Sequence, residues 1–416
     1  MARGFRWSVQ TLLAAVACAA VADWPDWRGP RRDGHSAEPL PASLPASPVV
    51  RWRKAVGHGY AGVVVGRDRL ITAEETAGQE TLHARRLADG EILWSTPVTK
   101  VWSDEFEAGP RCTPVLADGR VFFQSNQGEF VALDAASGRR LWGFNFAEYG
   151  MFWVPSPSSP VGAANRRGNT GSPLVVGDRV IVQVGSTNHA SLCAFSVADG
   201  RLSWRSQDDL AGFTSPVVGT LGGVHQVVTA TCEGLLGVAV ADGRLLWRVP
   251  FKTGANRNVL TPILDGDTVT FASHSTGMRR LKIQADGAVQ RADDEWFNRQ
   301  LKINLATPVL VGSHYFGLGP TKDYLCVDRR DGAVKWTEKG FDAVAATVTD
   351  GTRLLILLDT GEVRLLSATA DKYTEIDRFQ ACGKTFSHPA WSGGTLYVRD
   401  SREVVAYALS PGEAKP

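Results

Sequence analysis

The stretch FVALDAASGRRLW, Phe130–Trp142, decides the fold. Val131 and Leu133 alternate with smaller residues, as one face of a β-strand requires. Asp134 and the Ser137-Gly138 pair then make a tight turn, and a second short strand ends at Trp142. Gly138 can take the positive φ that such a hairpin needs, and the Asp134 side chain can bond the turn backbone.

The same hairpin is written repeatedly. HARRLADGEILW ends at Trp94, CAFSVADGRLSW at Trp204, GVAVADGRLLW at Trp247 and CVDRRDGAVKW at Trp336. In all five copies the turn glycine (Gly90, Gly138, Gly200, Gly243, Gly332) stands four residues before the tryptophan. A weakened copy, LKIQADGAVQR, keeps Gly287 but has Arg291 at the tryptophan place, which predicts looser packing there. Recurrence at a fixed interval is the mark of a repeat array. The five tryptophans are expected to pack between neighbouring units; stacking on a ligand is their other possible use.

A second landmark precedes each hairpin. It is a strand start of the form (Ser/Thr)-Pro-apolar: CTPVL at Pro114, GSPLV at Pro173, TSPVV at Pro216, LTPIL at Pro262 and ATPVL at Pro308, with SHPAW at Pro389 as a variant. Proline is tolerated at the first residue of a strand. The gap from Pro308 to Pro389 is nearly double the others, so a unit without the proline fits at AVAATVTDGTRLLILLDTGEVRLLSA. Each unit reads as a leading strand, a second strand and the hairpin. Four strands in about 45 residues make a propeller blade, and about 390 residues make eight. The fold class is therefore all-β: an eight-bladed β-propeller of four-stranded antiparallel blades in one domain, 49–410. No long helical periodicity occurs outside the N-terminal leader.

The termini fit this plan. Val49–Val56, VVRWRKAV, alternates as a strand but has no hairpin partner before it, and the last unit stops after three strands. The leading strand is expected to complete the last blade and close the ring, removing exposed edges. Its deletion should cost more stability than loss of the 411–416 tail. Arg3 and Arg6, the apolar run Val9–Ala19 and Ala20-Val21-Ala22 read as a secretory signal over residues 1–22, cut before Asp23. The run is too short to span a bilayer, so no transmembrane span is expected and the protein is placed in the periplasm or secreted. Cys18 leaves a lipoprotein reading open. Residues 23–48, WPDWRGPRRDGHSAEPLPASLPASP and onward, form a Pro-rich extended arm that Trp24 and Trp27 are expected to pin to the propeller flank.

A formal net charge of +2 on 416 residues argues against a nucleic-acid role. Beyond Cys18, the cysteines Cys112, Cys193, Cys232, Cys326 and Cys382 are spread over different units and read as small buried residues. There is no C-x-x-C or C-x-x-C-H, no serine elbow, no phosphate loop and no histidine cluster.

The repeats, with A-x-D-x-x-x-G-x-x-x-W at Ala132–Trp142, resemble the PQQ-repeat (quinoprotein alcohol dehydrogenase-like) eight-bladed propellers. The opening WPDWRGPRRDG and the segments GPRCTPVL, GSPLVVGDRVIVQVG, TSPVVGTLGGVHQVVT, LDGDTV and GKTFSHPA are similar to a secreted group of PQQ-binding-like propeller repeat proteins. The resemblance implies two sorts of relative. Quinoprotein dehydrogenases hold PQQ and Ca²⁺ on the propeller axis, with a Glu, an Asn and an Asp about the metal and an adjacent Cys-Cys disulfide over the quinone. The propeller lipoprotein of the outer-membrane barrel-assembly machine carries no cofactor and contacts proteins. This chain has no Cys-Cys pair and lacks the insertions of the dehydrogenases.

Loops leading into the innermost strands ring one mouth of a propeller. That rule gathers Tyr60; Glu105, Glu107 and Arg111; Asn165, Arg166, Arg167 and Asn169; Lys252, Arg257 and Asn258; Arg299, Lys302 and Asn304; and Lys384 with His388. The ligand site is expected at Tyr60, Arg111, Asn169, Lys252, Asn258, Lys302, Asn304, Lys384 and His388. Cations and amides suit an anionic or polyhydroxy ligand. Glu105 and Glu107, with Asp104, could ligate Ca²⁺, since hard cations want several oxygens, but a loop run of acids is ordinarily solvated and no metal site is assigned. The insert Met151–Asn169 breaks the repeat interval and could cap the mouth. The reading adopted is a monomeric, non-catalytic module for a protein or carbohydrate partner. A PQQ- and Ca²⁺-dependent alcohol or sugar dehydrogenase and an outer-membrane assembly scaffold are the alternatives.

Overall fold

The computed structural model describes residues 23–103, 107–152, 168–253, 257–286 and 289–409. The hairpin that opened the argument is there: Glu129–Asp134 pairs antiparallel with Arg140–Asn145, Ala132 facing Trp142, and the register slips by one bulge before Leu133 faces Arg140. The same bulge recurs with a small residue opposite the tryptophan at Ala84/Trp94, Ala194/Trp204, Gly237/Trp247 and Cys326/Trp336. A bulge adds local twist, and the small partner leaves room for the indole.

Eight four-stranded antiparallel sheets follow one another in a ring. Seven are built from consecutive strands; the eighth orders Ala390–Ser392, Thr395–Arg399, Glu403–Ala408 and then Val49–Ala55. The strand at the start of the chain thus completes the last blade, Val49 facing Ala408 and Ala55 facing Glu403. The unit without proline is blade seven, Ala345–Gln380. The leading strand of each blade is the innermost, and those of neighbouring blades approach one another. The only helix among the described residues is one 3₁₀ turn, Phe146–Tyr149.

Six indole N–H groups each donate to a carbonyl in the next blade: Trp52 to Leu87, Trp94 to Ala135, Trp142 to Val197, Trp204 to Val240, Trp296 to Arg329 and Trp336 to Thr369. Four of the five repeat tryptophans make this inter-blade bond, and the fifth, Trp247, is buried in one apolar cluster with Ile263, Val269 and Leu281 of blade five. Trp247 instead donates to Gln226 of its own blade. Two further members were not visible as repeats. Trp52 does the work for blade eight from the closing strand. Trp296 does it for blade five, which corrects the expectation drawn from Arg291. The arms of that hairpin, Gly277–Asp286 and Val289–Asn298, are longer than elsewhere, so the tryptophan comes later, opposite Arg280. Gly287 lies outside the described residues. Blade seven places Asp377 where a tryptophan would stand. The following blade has no third-to-fourth hairpin to cover, because its fourth strand comes from the N-terminus; Asp377 accepts the Leu44 N–H of the arm instead.

The arm does not lie on the flank. It fills the axis. Trp24 is 2% exposed and bridges Val65 of the first innermost strand. Arg28 donates to the carbonyls of Thr307 and Pro308, and Arg32 to those of Ser172, Pro173 and Pro216, all just ahead of innermost strands. His35 and Ser36 then meet Leu310 and Thr349, and Glu38 accepts from Gly393 and Gly394. The flank expectation failed because a strand-initial proline, which has no N–H to give, still offers its carbonyl. A ring of such carbonyls on the axis is a site for arginine. The leader 1–22 and the tail from 410 lie outside the described residues. No helix among the described residues is long and apolar enough to cross a membrane.

Candidate functional site

The (Ser/Thr)-Pro motif builds the mouth. Thr113 accepts the Gly62 N–H at 2.9 Å, Ser215 that of Ser172 at 2.9 Å, and Thr307 that of Thr261 at 2.9 Å, so each hydroxyl ties one blade to the previous one. Above this ring the arm reaches its deepest point. The Trp27 indole N–H donates to Thr261 Oγ1 at 3.0 Å, and its ring stands edge-on to His388, centroids 4.5 Å apart. Trp27 is thereby the floor of a bowl of about 440 Å³.

The walls come from the loops that lead into the innermost strands. Tyr60 packs edge-on to Phe386 at 5.3 Å, and the Arg111 guanidinium lies 5.5 Å from the Tyr60 ring. Arg257 donates to Asn304 Oδ1 at 2.7 Å. Phe213, Val259, Leu305 and Val344 supply apolar wall, and Thr170, Ser172, Ser215 and Thr307 supply hydroxyls. His388 is 8% exposed; burial pulls its imidazole down to about 3, with Arg28 adding to the effect. It is neutral at neutral pH. Among the described residues no aspartate or glutamate lines the bowl.

Of the nine expected ligand residues, Tyr60, Arg111, Asn304 and His388 come together here. Lys252 and Lys302 line a neighbouring cleft with Arg299. Asn169 and Asn258 are structural: Asn169 donates to the Gln183 and Val184 carbonyls, and Asn258 to those of Thr231 and Phe251. Lys384 is exposed, 5.6 Å from the Phe386 ring. Glu107 pairs with His58 at 2.6 Å. Asp104, Glu105, Asn165, Arg166 and Arg167 lie outside the described residues, as does most of the Met151–Asn169 insert. Sequence reasoning missed Trp27, Phe213, Leu305 and Phe386. The last stands two residues before His388 on a loop already singled out; Trp27 gave no signal while the arm was placed outside.

The donor set does not fit PQQ with Ca²⁺. A hard cation wants several anionic oxygens, and the described lining of the bowl offers none. Among the described residues no group of three or more His, Cys, Asp or Glu can hold a metal. The five described cysteines are free and buried.

The family model described as outer membrane protein assembly factor BamB matches residues 45–165 and 99–338. The chain belongs to this PQQ-repeat family. A quinoprotein ethanol dehydrogenase from Pseudomonas aeruginosa is 26% identical over 196 residues, which is 42% of this chain and 29% of that protein's length. In structure the chain is similar to BamB from Moraxella catarrhalis, with TM-score 0.60, 16% identity and coverage of 89% of this chain and 99% of that one. It is also similar to the quinohemoprotein alcohol dehydrogenase of Comamonas testosteroni, with TM-score 0.65, 12% identity and coverage of 95% and 81%. At such identities the likeness is one of fold, which scaffolds and enzymes share.

Proposed function

We propose that the protein is an exported, non-catalytic binding propeller, held outside the cytoplasm by virtue of the 1–22 leader, whose mouth captures a protein partner. One observation carries the reading. The chain fills its own axis with Trp27, Arg28 and Arg32, and leaves a bowl with aromatic walls, two arginines and, among the described residues, no carboxylate. Such a lining suits an apolar side chain flanked by carboxylate. The family match to an assembly factor supports a protein partner.

A displayed peptide library on the mature protein tests this. The selected peptides should pair an aromatic or aliphatic residue with Asp or Glu, and an Arg111→Glu/Arg257→Glu variant that still melts cooperatively should lose them. Equal selection by the variant, or no selection, would sink the reading. Saturating PQQ with Ca²⁺ should leave Tm unchanged; a rise of several degrees would favour the dehydrogenase alternative.

A further inference from the structure

Positive charge gathers next to the bowl, in a cleft of about 450 Å³ lined by Lys252, Arg279, Arg299 and Lys302 with Phe251 and Phe297. Arg279 stands 4.7 Å and Arg299 4.6 Å from the centre of the Phe297 ring, and Arg279 also 5.8 Å from Phe251. Stacking holds these guanidiniums in place. Carboxylates answer only part of the charge: Arg279 meets Asp294 at 2.8 Å and Lys252 meets Glu233 at 3.1 Å. Among the described residues neither Arg299 nor Lys302 meets one. Like charges gathered in one cleft repel, and an incoming anion relieves that repulsion.

No residue lines both the cleft and the bowl, but two segments of chain contribute to each. One segment puts Lys252 in the cleft and Arg257 in the bowl; another puts Lys302 in the cleft and Asn304 in the bowl. Asn304 follows Lys302 by two positions, about 7 Å of chain. The Arg257–Asn304 hydrogen bond links these two segments on the bowl side.

We infer that bowl and cleft form one groove for an extended acidic peptide segment, with an apolar side chain in the bowl and carboxylates on the cleft. The inference rests on the bowl being the ligand site. A peptide suits it better than an acidic polysaccharide. The Leu305, Val259 and Val344 wall wants an apolar group that a sugar acid lacks, while successive peptide side chains change character every ~3.3 Å. Six residues in extended form reach about 20 Å.

The test is fluorescence anisotropy with a labelled octapeptide of two leucines followed by Asp and Glu, with the Asn/Gln version as control. Wild type should bind the acidic peptide at least about tenfold more tightly than the control, and less tightly as salt rises from about 50 to about 500 mM. Arg299→Glu/Lys302→Glu changes only exposed side chains; it should keep its melting temperature and lose about tenfold in affinity. Leu305→Glu should also weaken binding. Equal binding to wild type and the double variant would overturn the groove and leave the bowl standing. Equal binding to wild type and Leu305→Glu would overturn the bowl. No binding at all, or tighter binding of polygalacturonate than of peptide, would overturn the peptide assignment.

Discussion

Gly138 and Trp94 belong to different blades, yet each constrains the other. Gly138 sits at φ 71°, and a Cβ there would lie 2.5 Å from the Trp94 indole. Gly119 has nearly the same φ of 72° with nothing within 4 Å. Gly119→Ala should therefore cost about 1 kcal/mol of backbone strain alone, while Gly138→Ala should cost roughly 3 kcal/mol because the indole must move too. Urea denaturation of the two variants measures the difference, and equal costs would deny the contact. Two of the buried ionisable groups pull the pH profile in opposite directions. His388 falls to about 3 from 6.5, so the unfolded chain takes a proton that the fold refuses, and stability drops as pH falls from about 6.5 towards 3. Glu80 is the opposite case. Burial pushes its carboxyl up to about 8 from 4.5, and neither oxygen has a hydrogen-bond partner among the described residues. The fold keeps its proton where the unfolded chain has lost it, so stability drops as pH rises from about 4.5 to 8. Thermal melts of Glu80→Gln should lose the decline on the alkaline side, and those of His388→Asn the decline on the acid side.

At the scale of elements, ring closure is the weak point and is locked twice. Residues Val49–Ala55 zip onto Glu403–Ala408, and the fully buried Arg399 of the same blade donates to Ala73 O at 2.7 Å in the first blade and to Gly57 O at 2.8 Å in the connection that follows the closing strand. Arg399→Met keeps the bulk but leaves two buried carbonyls unanswered, and should cost about 3 kcal/mol. Deleting 49–56 removes a whole strand and exposes an edge, and should lower Tm far more than deleting 411–416. Circular dichroism melts check both, and similar effects of the two deletions would argue against closure through this strand.

For the whole molecule the arm is the keystone. A protein lacking residues 23–44 should keep its β-sheet spectrum, melt many degrees lower and bind no ligand at the mouth, since Trp27 is the floor of the bowl. An unchanged Tm would show that the arm is an accessory. Blade count was legible in the sequence because the recurring glycine and tryptophan lie four residues apart in one local hairpin, and each hairpin meets only the next one along. Trp52 was illegible because its strand partner lies some 350 residues away, and Trp296 because a longer hairpin moved it out of register. At the mouth, loop position alone found Tyr60, Arg111, Asn304 and His388. It could not distinguish them from Asn169 and Asn258, whose amides turn inward to backbone carbonyls. The arm was misplaced because the carbonyls that Arg28 and Arg32 answer converge only once the ring exists.

That dependence has a consequence for how the protein is made. The segment that fills the centre and the segment that seals the circle are synthesised before the blades they serve, while Glu403–Ala408, which the sealing segment awaits, follows the other seven blades. Seven sheets can form as they appear, but the eighth waits for its last strand, so the closed ring and its filled centre are reached together in one late step.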